Sequence, residues 1–170
     1  MNRGSSRTLS IGGVASLVLI AGCIAEPSKR LVLNTTASAP LGFYWLSDRA
    51  PKLGDLALVR PPAPLARWMA VRGYLPLNVP LIKHVAAVGG QIVCGGEGIL
   101  TVDGRVVAQA LRHDRHGRPL AVFKGCRLLR NDEVLLLNPD APGSLDGRYF
   151  GPLPRHCVMG RLRALWTWER

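Results

Sequence analysis

Acidic residues are scarce in this chain: 11 Asp and Glu stand against 22 Lys and Arg, giving a net charge of +11. That balance suggests an anionic partner, lipid or nucleic acid, without choosing between them. Charged residues are few overall, at 19%, while hydrophobic residues make up 48%, which excludes a disordered, charge-driven chain. Four cysteines stand at no metal-ligand spacing, so no zinc module is expected. Aromatics show no stacking pattern of the kind single-strand nucleic-acid binders use. No internal repeat or low-complexity segment is visible. Glycine and proline, by contrast, are abundant at 19 and 13, which excludes a long-helix bundle or coiled coil. A length of 170 residues suits one domain with an appendage.

The appendage is N-terminal. Arg3 and Arg7 precede an apolar stretch, Leu9 to Ala25, that ends before Pro27. Its length is at the low end for a membrane-spanning helix, and the leading basic residues favour a cytoplasmic N-terminus. A cleaved signal peptide has the same layout, and Ile20-Ala21-Gly22-Cys23 reads as a lipobox that would lipidate Cys23. All three readings send the chain after Pro27 to an extracytoplasmic compartment, where disulfides persist. Cys94 and Cys126 flank a Gly-rich region and are candidates for a bridge, leaving Cys157 as a buried apolar thiol; three buried thiols are the alternative.

The body reads as short strands between turn signals: 30–34, 42–46, 55–59, 81–88, 91–93, 99–102, 105–108, 133–137 and 158–165. Asp103-Gly104 between two apolar runs is a hairpin signal. Pro64–Gly73 places Leu65, Trp68 and Met69 at helical spacing and predicts one short amphipathic helix or membrane-facing loop. The spacing of the strands predicts a folded β-sheet domain with partial barrel character. The segment Leu111–Lys124 carries four Lys/Arg with His113 and His116. With no third ligand at hand it reads as a solvated basic loop rather than a metal site, and anionic lipid headgroups are its natural partner beside a membrane anchor.

Three stretches carry chemistry. Asn34–Tyr44 joins two strand candidates through small and hydroxyl residues and can present Ser38 at a sheet edge. A serine needs a base, and no Ser/His/Asp set stands out. Lys83 sits in the otherwise apolar strand Leu81–Val88; burial there disfavours its charged form, and a neutral lysine is a competent general base. His84 is its neighbour, but side chains alternate across a strand, so only one of the two can face Ser38. In the turn-rich segment Asn138–Pro152, Asp146 and Arg148 can brace the loop and Ser144 can hydrogen-bond a buried amine.

In combination these stretches resemble the conjugative-transfer signal peptidases (the TraF family), compact relatives of bacterial type I signal peptidase. Asn34-x-Thr36-x-Ser38-x-Pro40-x-Gly42-x-Tyr44 is similar to their nucleophile motif, Ile82–Gly90 to the strand bearing their lysine, and Asn138–Pro152 to their box ending Ser-x-Asp-x-Arg-Tyr-x-Gly. Gly98–Val107 is similar to the hairpin between, so the likeness spans roughly residues 32–165 in order. Ala39 departs from the Met that type I enzymes place after the serine, and Pro139-Asp140 from their Asp-Asn.

The resemblance implies Ser38 as nucleophile and Lys83 as general base. Thr36 and the Ser38 N–H become oxyanion donors, Ser144 orients the lysine, and Asp146 and Arg148 form a supporting pair. It implies a mainly β, signal-peptidase-like domain over 28–170, preceded by a transmembrane or signal helix within 1–27, with at most one or two short helices. The expected protein is a monomeric endopeptidase at the inner membrane, its catalytic domain in the periplasm. It would use no cofactor or metal, bind no nucleic acid, and act on a pilin-like precursor. The substrate's identity, its cut site and any cyclisation of the product stay open. An exported basic scaffold lipoprotein and a self-cleaving Ser/Lys protease are the competing readings.

Overall fold

A computed structural model describes residues 30–168. The apolar stretch 9–25, with the lipobox cysteine, lies outside the described residues. Among those that are described, no helix is long and apolar enough to cross a membrane. The chain order is β1 (Leu31–Asn34), β2 (Leu41–Ser47), β3 (Leu56–Val59), α1 (Ala63–Val71), β4 (Leu81–Val88), β5 (Ile92–Gly96), β6 (Ile99–Val102), β7 (Arg105–Gln109), β8 (Gly125–Leu128), β9 (Glu133–Leu137), α2 (Gly147–Phe150), β10 (Leu153–Pro154) and β11 (Val158–Trp168). A 3-10 turn, Arg155–Cys157, leads into β11.

The strands form a seven-stranded sheet, β1-β2-β11-β3-β4-β9-β10, and a four-stranded sheet, β7-β6-β5-β8. Every pairing is antiparallel. The expectation of a mainly β domain with few, short helices therefore holds. All nine strands read from sequence are present with ends shifted by three residues at most, and two more, β8 and β10, are added. Those two escape pattern reading for a physical reason. β8 is four residues long and mostly exposed, and β10 is a two-residue pairing that includes a proline.

β9 organises the core because both its faces are covered. Val134 and Leu136 pack with Ala57, Val59, Val85, Leu153 and Cys157. Leu135 and Leu137 pack with Ala87 of β4, Leu129, and Val93, Leu100 and Val102 of the smaller sheet. A doubly covered strand reads as a continuous apolar run, as Val134–Leu137 does. Burial of each such side chain stabilises the fold by about 1.5–3 kcal/mol. Ala39, Tyr44, Leu58, Ile82 and Leu162 form a third cluster beneath the β1–β2 connection.

Backbone conformation decides one turn and one strand crossing. Asp103 and Gly104 both take positive φ, 49° and 77°, as a two-residue hairpin turn requires, and Val102 pairs with Arg105 across it. Gly42, the second residue of β2, has φ 148°, and a Cβ there would lie 2.1 Å from the Trp166 carbonyl oxygen. Only glycine lets β2 approach β11 at this point, where the β2–β11 register shifts between Ala164 and Trp166. In α1, Met69 is buried and Leu65 packs on the core. The helix closes through Gly73, whose N–H reaches Ala70 O at 3.0 Å while Tyr74 N reaches Met69 O at 2.9 Å.

Candidate active site

β1 and β2 pair from Leu31–Trp45 to Asn34–Gly42, and the loop between them carries Ser38. The loop is shaped by one buried side chain. Asn34 Nδ2 donates to the carbonyls of Thr36, Ala39 and Pro40, each at 3.0 Å. Its Oδ1 accepts the Thr36 N–H at 3.0 Å and the Thr36 hydroxyl at 2.9 Å. Tyr44 OH adds a 2.6 Å bond to Pro40 O. Ala39 is buried, Thr36 is exposed and Ser38 is half-buried. The Thr36 and Ser38 hydroxyl oxygens lie 3.4 Å apart. Local side-chain bonds of this kind set a turn where no strand ladder can.

Lys83 lies on β4 between β3 and β9, with its Cα opposite Ala57. It is 2% exposed. Its Nζ donates to Ser144 Oγ at 2.5 Å, so one ammonium or amine hydrogen is fixed by a neutral partner. Burial lowers its pKa from 10.5 to about 8; the nearby Asp146 charge opposes that shift and Arg148 adds to it. With no carboxylate in direct contact among the described residues, the buried amine is close to neutral at mildly alkaline pH.

Ser144 is held by the loop that follows β9. Asp146 caps α2 by accepting the Arg148 N–H. The two side chains form an ion pair at 2.7 Å, 0% and 1% exposed. Asp146 Oδ2 also accepts the Asn138 N–H at 3.0 Å. Arg148 donates on to the carbonyls of Gln109, Pro142, Asn138, Ala141 and Ser144. Asn138 Nδ2 ties the start of the loop to Ile82 O at 3.0 Å, one residue before the lysine.

One cavity of about 750 Å³ collects Thr36, Ser38, Lys83 and Ser144, walled by β1, the end of α1 and the segment 111–120. A second of about 510 Å³ touches Ser38 from another side and is lined by His84, Asn138, Asp140 and Trp168. Lys83 and His84 thus open into different cavities, as strand alternation requires, with Ser38 at the edge of both. Trp68 and Met69 are not a free membrane-facing pair: Met69 lines the larger cavity, and Trp68 packs on Tyr74 with ring centroids 5.4 Å apart. Trp45 is exposed on β2.

Cys94 and Cys126 face each other across β5 and β8 and are joined as a disulfide, while Cys157 is a free, buried thiol. The sequence reading gave no role to Asn34, Asn138 or Tyr44. An Asn heading a run of small and hydroxyl residues is a turn signal that points to Asn34; Asn138 acts across the chain on Ile82, a contact no local pattern carries.

A sequence profile described as "Signal peptidase, peptidase S26" matches residues 6–168. The chain is 40% identical to a probable conjugal transfer protein TraF of Sinorhizobium fredii over 80% of this chain and 77% of that one. It is 32% identical to a plasmid transfer protein TraF of Escherichia coli over 93% of both. A crystal structure of a signal peptidase I from Enterococcus faecalis aligns over 69% of this chain and all of that one, at 17% identity and a TM-score of 0.42.

Proposed function

The chain belongs to the signal peptidase family S26 and is of the TraF type, and from that premise we propose that it is a serine endopeptidase working through Ser38 and Lys83. The observation that carries this reading is a buried lysine of lowered pKa sharing one cavity with a half-buried serine. Neutral Lys83 Nζ takes the Ser38 hydroxyl proton as Oγ attacks the scissile carbonyl. The Ser38 N–H and the Thr36 hydroxyl meet the oxyanion, Thr36 turning its proton away from Asn34 Oδ1. One such donor is worth about 3 kcal/mol of barrier. The Lys83 ammonium then protonates the leaving amine, and an ester to Ser38 remains. Water, losing its proton to Lys83, cleaves that ester and returns the serine. Ser144 keeps the lysine aimed throughout, and the Asp146–Arg148 pair keeps Ser144 in place.

The substrate of this proposal is an exported precursor, a pilin-like protein of conjugative transfer, in keeping with the transfer role in the relatives' names. An extended peptide adding to the edge strand β1 is the natural binding mode. Two features support a site outside the cytoplasm at a membrane surface. The Cys94–Cys126 bridge suits an oxidising compartment. Trp45, Leu165, Trp166 and Trp168 form an exposed apolar set on β2 and β11, the residue type favoured at a lipid interface. The test is mass spectrometry of the co-encoded pilin precursor expressed with the wild-type chain and with Ser38→Ala. Trimming by wild type alone is the expected result; identical precursor in both samples would favour a scaffold instead.

A further inference from the structure

The segment between β7 and β8 takes no part in that chemistry, yet it walls the same cavity. Leu111–Lys124 is largely exposed, in keeping with a solvated basic loop, yet part of it is ordered and tied to the body. Residues 112–120 fold into a small hairpin: Asp114 N donates to Arg118 O at 2.9 Å, Gly117 N to Asp114 O at 3.0 Å and Leu120 N to Arg112 O at 2.9 Å, and His113 pairs with Pro119. Asp114 is its knot. Oδ1 accepts the backbone N–H groups of His116 and Arg118; Oδ2 accepts Tyr74 OH at 2.6 Å and Arg118 Nε at 2.7 Å. The Arg118 guanidinium lies 4.8 Å above the Tyr74 ring and donates to Arg72 O at 2.9 Å, which clips the hairpin to the end of α1. Although burial opposes it, these bonds from Tyr74 and Arg118 hold the Asp114 carboxyl well below the usual carboxylate range, so the clip persists in mild acid.

The consequence is electrostatic. Among the described residues, Asp114 is the only acidic one lining the cavity of Ser38 and Lys83, and its carboxylate is taken up by Arg118 and Tyr74. His113 and Arg115 line the same cavity. The side-chain contact Arg115 makes is with the His116 ring, at 3.3 Å, and no carboxylate pairs with it among the described residues. Much of the remaining lining is apolar, including Leu58, Met69, Leu75, Val79 and Leu145. We infer that the hairpin is a specificity element in which Arg115, with His113 beside it, binds a carboxylate of the substrate peptide away from the scissile bond. This rests on the peptidase reading. A guanidinium set in a cavity wall beside apolar surface is a carboxylate receptor by chemistry, and both an Asp or Glu side chain and a free C-terminus offer one.

The test uses the full chain in detergent and a library of extended peptides with small residues at the centre. One arm places a single Asp or Glu at each position in C-terminally amidated peptides; the other offers a free C-terminus with no acidic side chain. Wild type, Arg115→Glu and Ser38→Ala are compared. The expected result is a preference of about fivefold in kcat/KM, carried by KM, for a carboxylate at one fixed distance from the cut. Arg115→Glu, on an exposed hairpin position, should shift that preference to Lys. The arm that shows the preference identifies the carboxylate's source. Cleavage by wild type with no preference, or a preference unchanged in Arg115→Glu, overturns the inference. So does a variant that only loses retention on phosphatidylglycerol vesicles, which would make the hairpin a lipid contact. Peptides left intact by wild type and Ser38→Ala alike would instead overturn the peptidase reading, and this inference with it.

Discussion

The two halves of the candidate dyad are held in opposite ways. Ser38 rides on a loop whose flanking residues Thr35, Thr36, Ala37 and Pro40 are exposed, and one amide, Asn34, gives that loop its shape. Lys83 sits inside a strand hydrogen-bonded on both sides, 2% exposed, and its partner Ser144 hangs from a buried ion pair. A nucleophile must meet a substrate, so it stands at a surface where few bonds fix it. A base must be desolvated to be neutral, so it stands where the ladder and the core are densest. The contrast predicts that damage on the lysine side appears as lost stability, and damage on the serine side as lost turnover.

The largest effect is expected from Arg148→Ala. It strands the Asp146 carboxylate and frees five carbonyls at once, a loss of about 3–5 kcal/mol that should lower the thermal midpoint by about 10 °C. A melt within about 2 °C of wild type would show that the pair does not support the lysine side at all. Next comes Asn34→Ala. With the loop unshaped, kcat should fall about a hundredfold, as misplacement of a reacting group does, while the thermal midpoint moves by only a few degrees. If this variant melts as early as Arg148→Ala, the contrast between the regions disappears.

What the sequence made legible follows the same division. Strands such as Leu81–Val88 and Glu133–Leu137 announced themselves because burial leaves an apolar run, and Lys83 stood out as the polar exception within one. The hairpin at Asp103-Gly104 was readable because its backbone demands those residues. The roles proposed for Ser38, Thr36 and Ser144 rest on motif likeness, since a hydroxyl in a turn has no distinguishing local physics. The clip of Asp114 to Tyr74 was not readable, because its partners are 40 positions apart and meet only once α1 and the hairpin are both folded. Asn138 reaching Ile82 was hidden for the same reason.

The central claim is that Lys83 acts as a neutral base, and the pH dependence of kcat/KM tests it most directly. Burial sets the folded pKa at about 8, with Arg148 adding to the effect and Asp146 opposing it. Below that value the lysine is mostly protonated and cannot accept the serine proton. The rate should therefore climb about tenfold per pH unit up to the neighbourhood of pH 8, then level off. A profile that is flat from about pH 6 to 9, or that falls as the lysine loses its proton, would contradict the account.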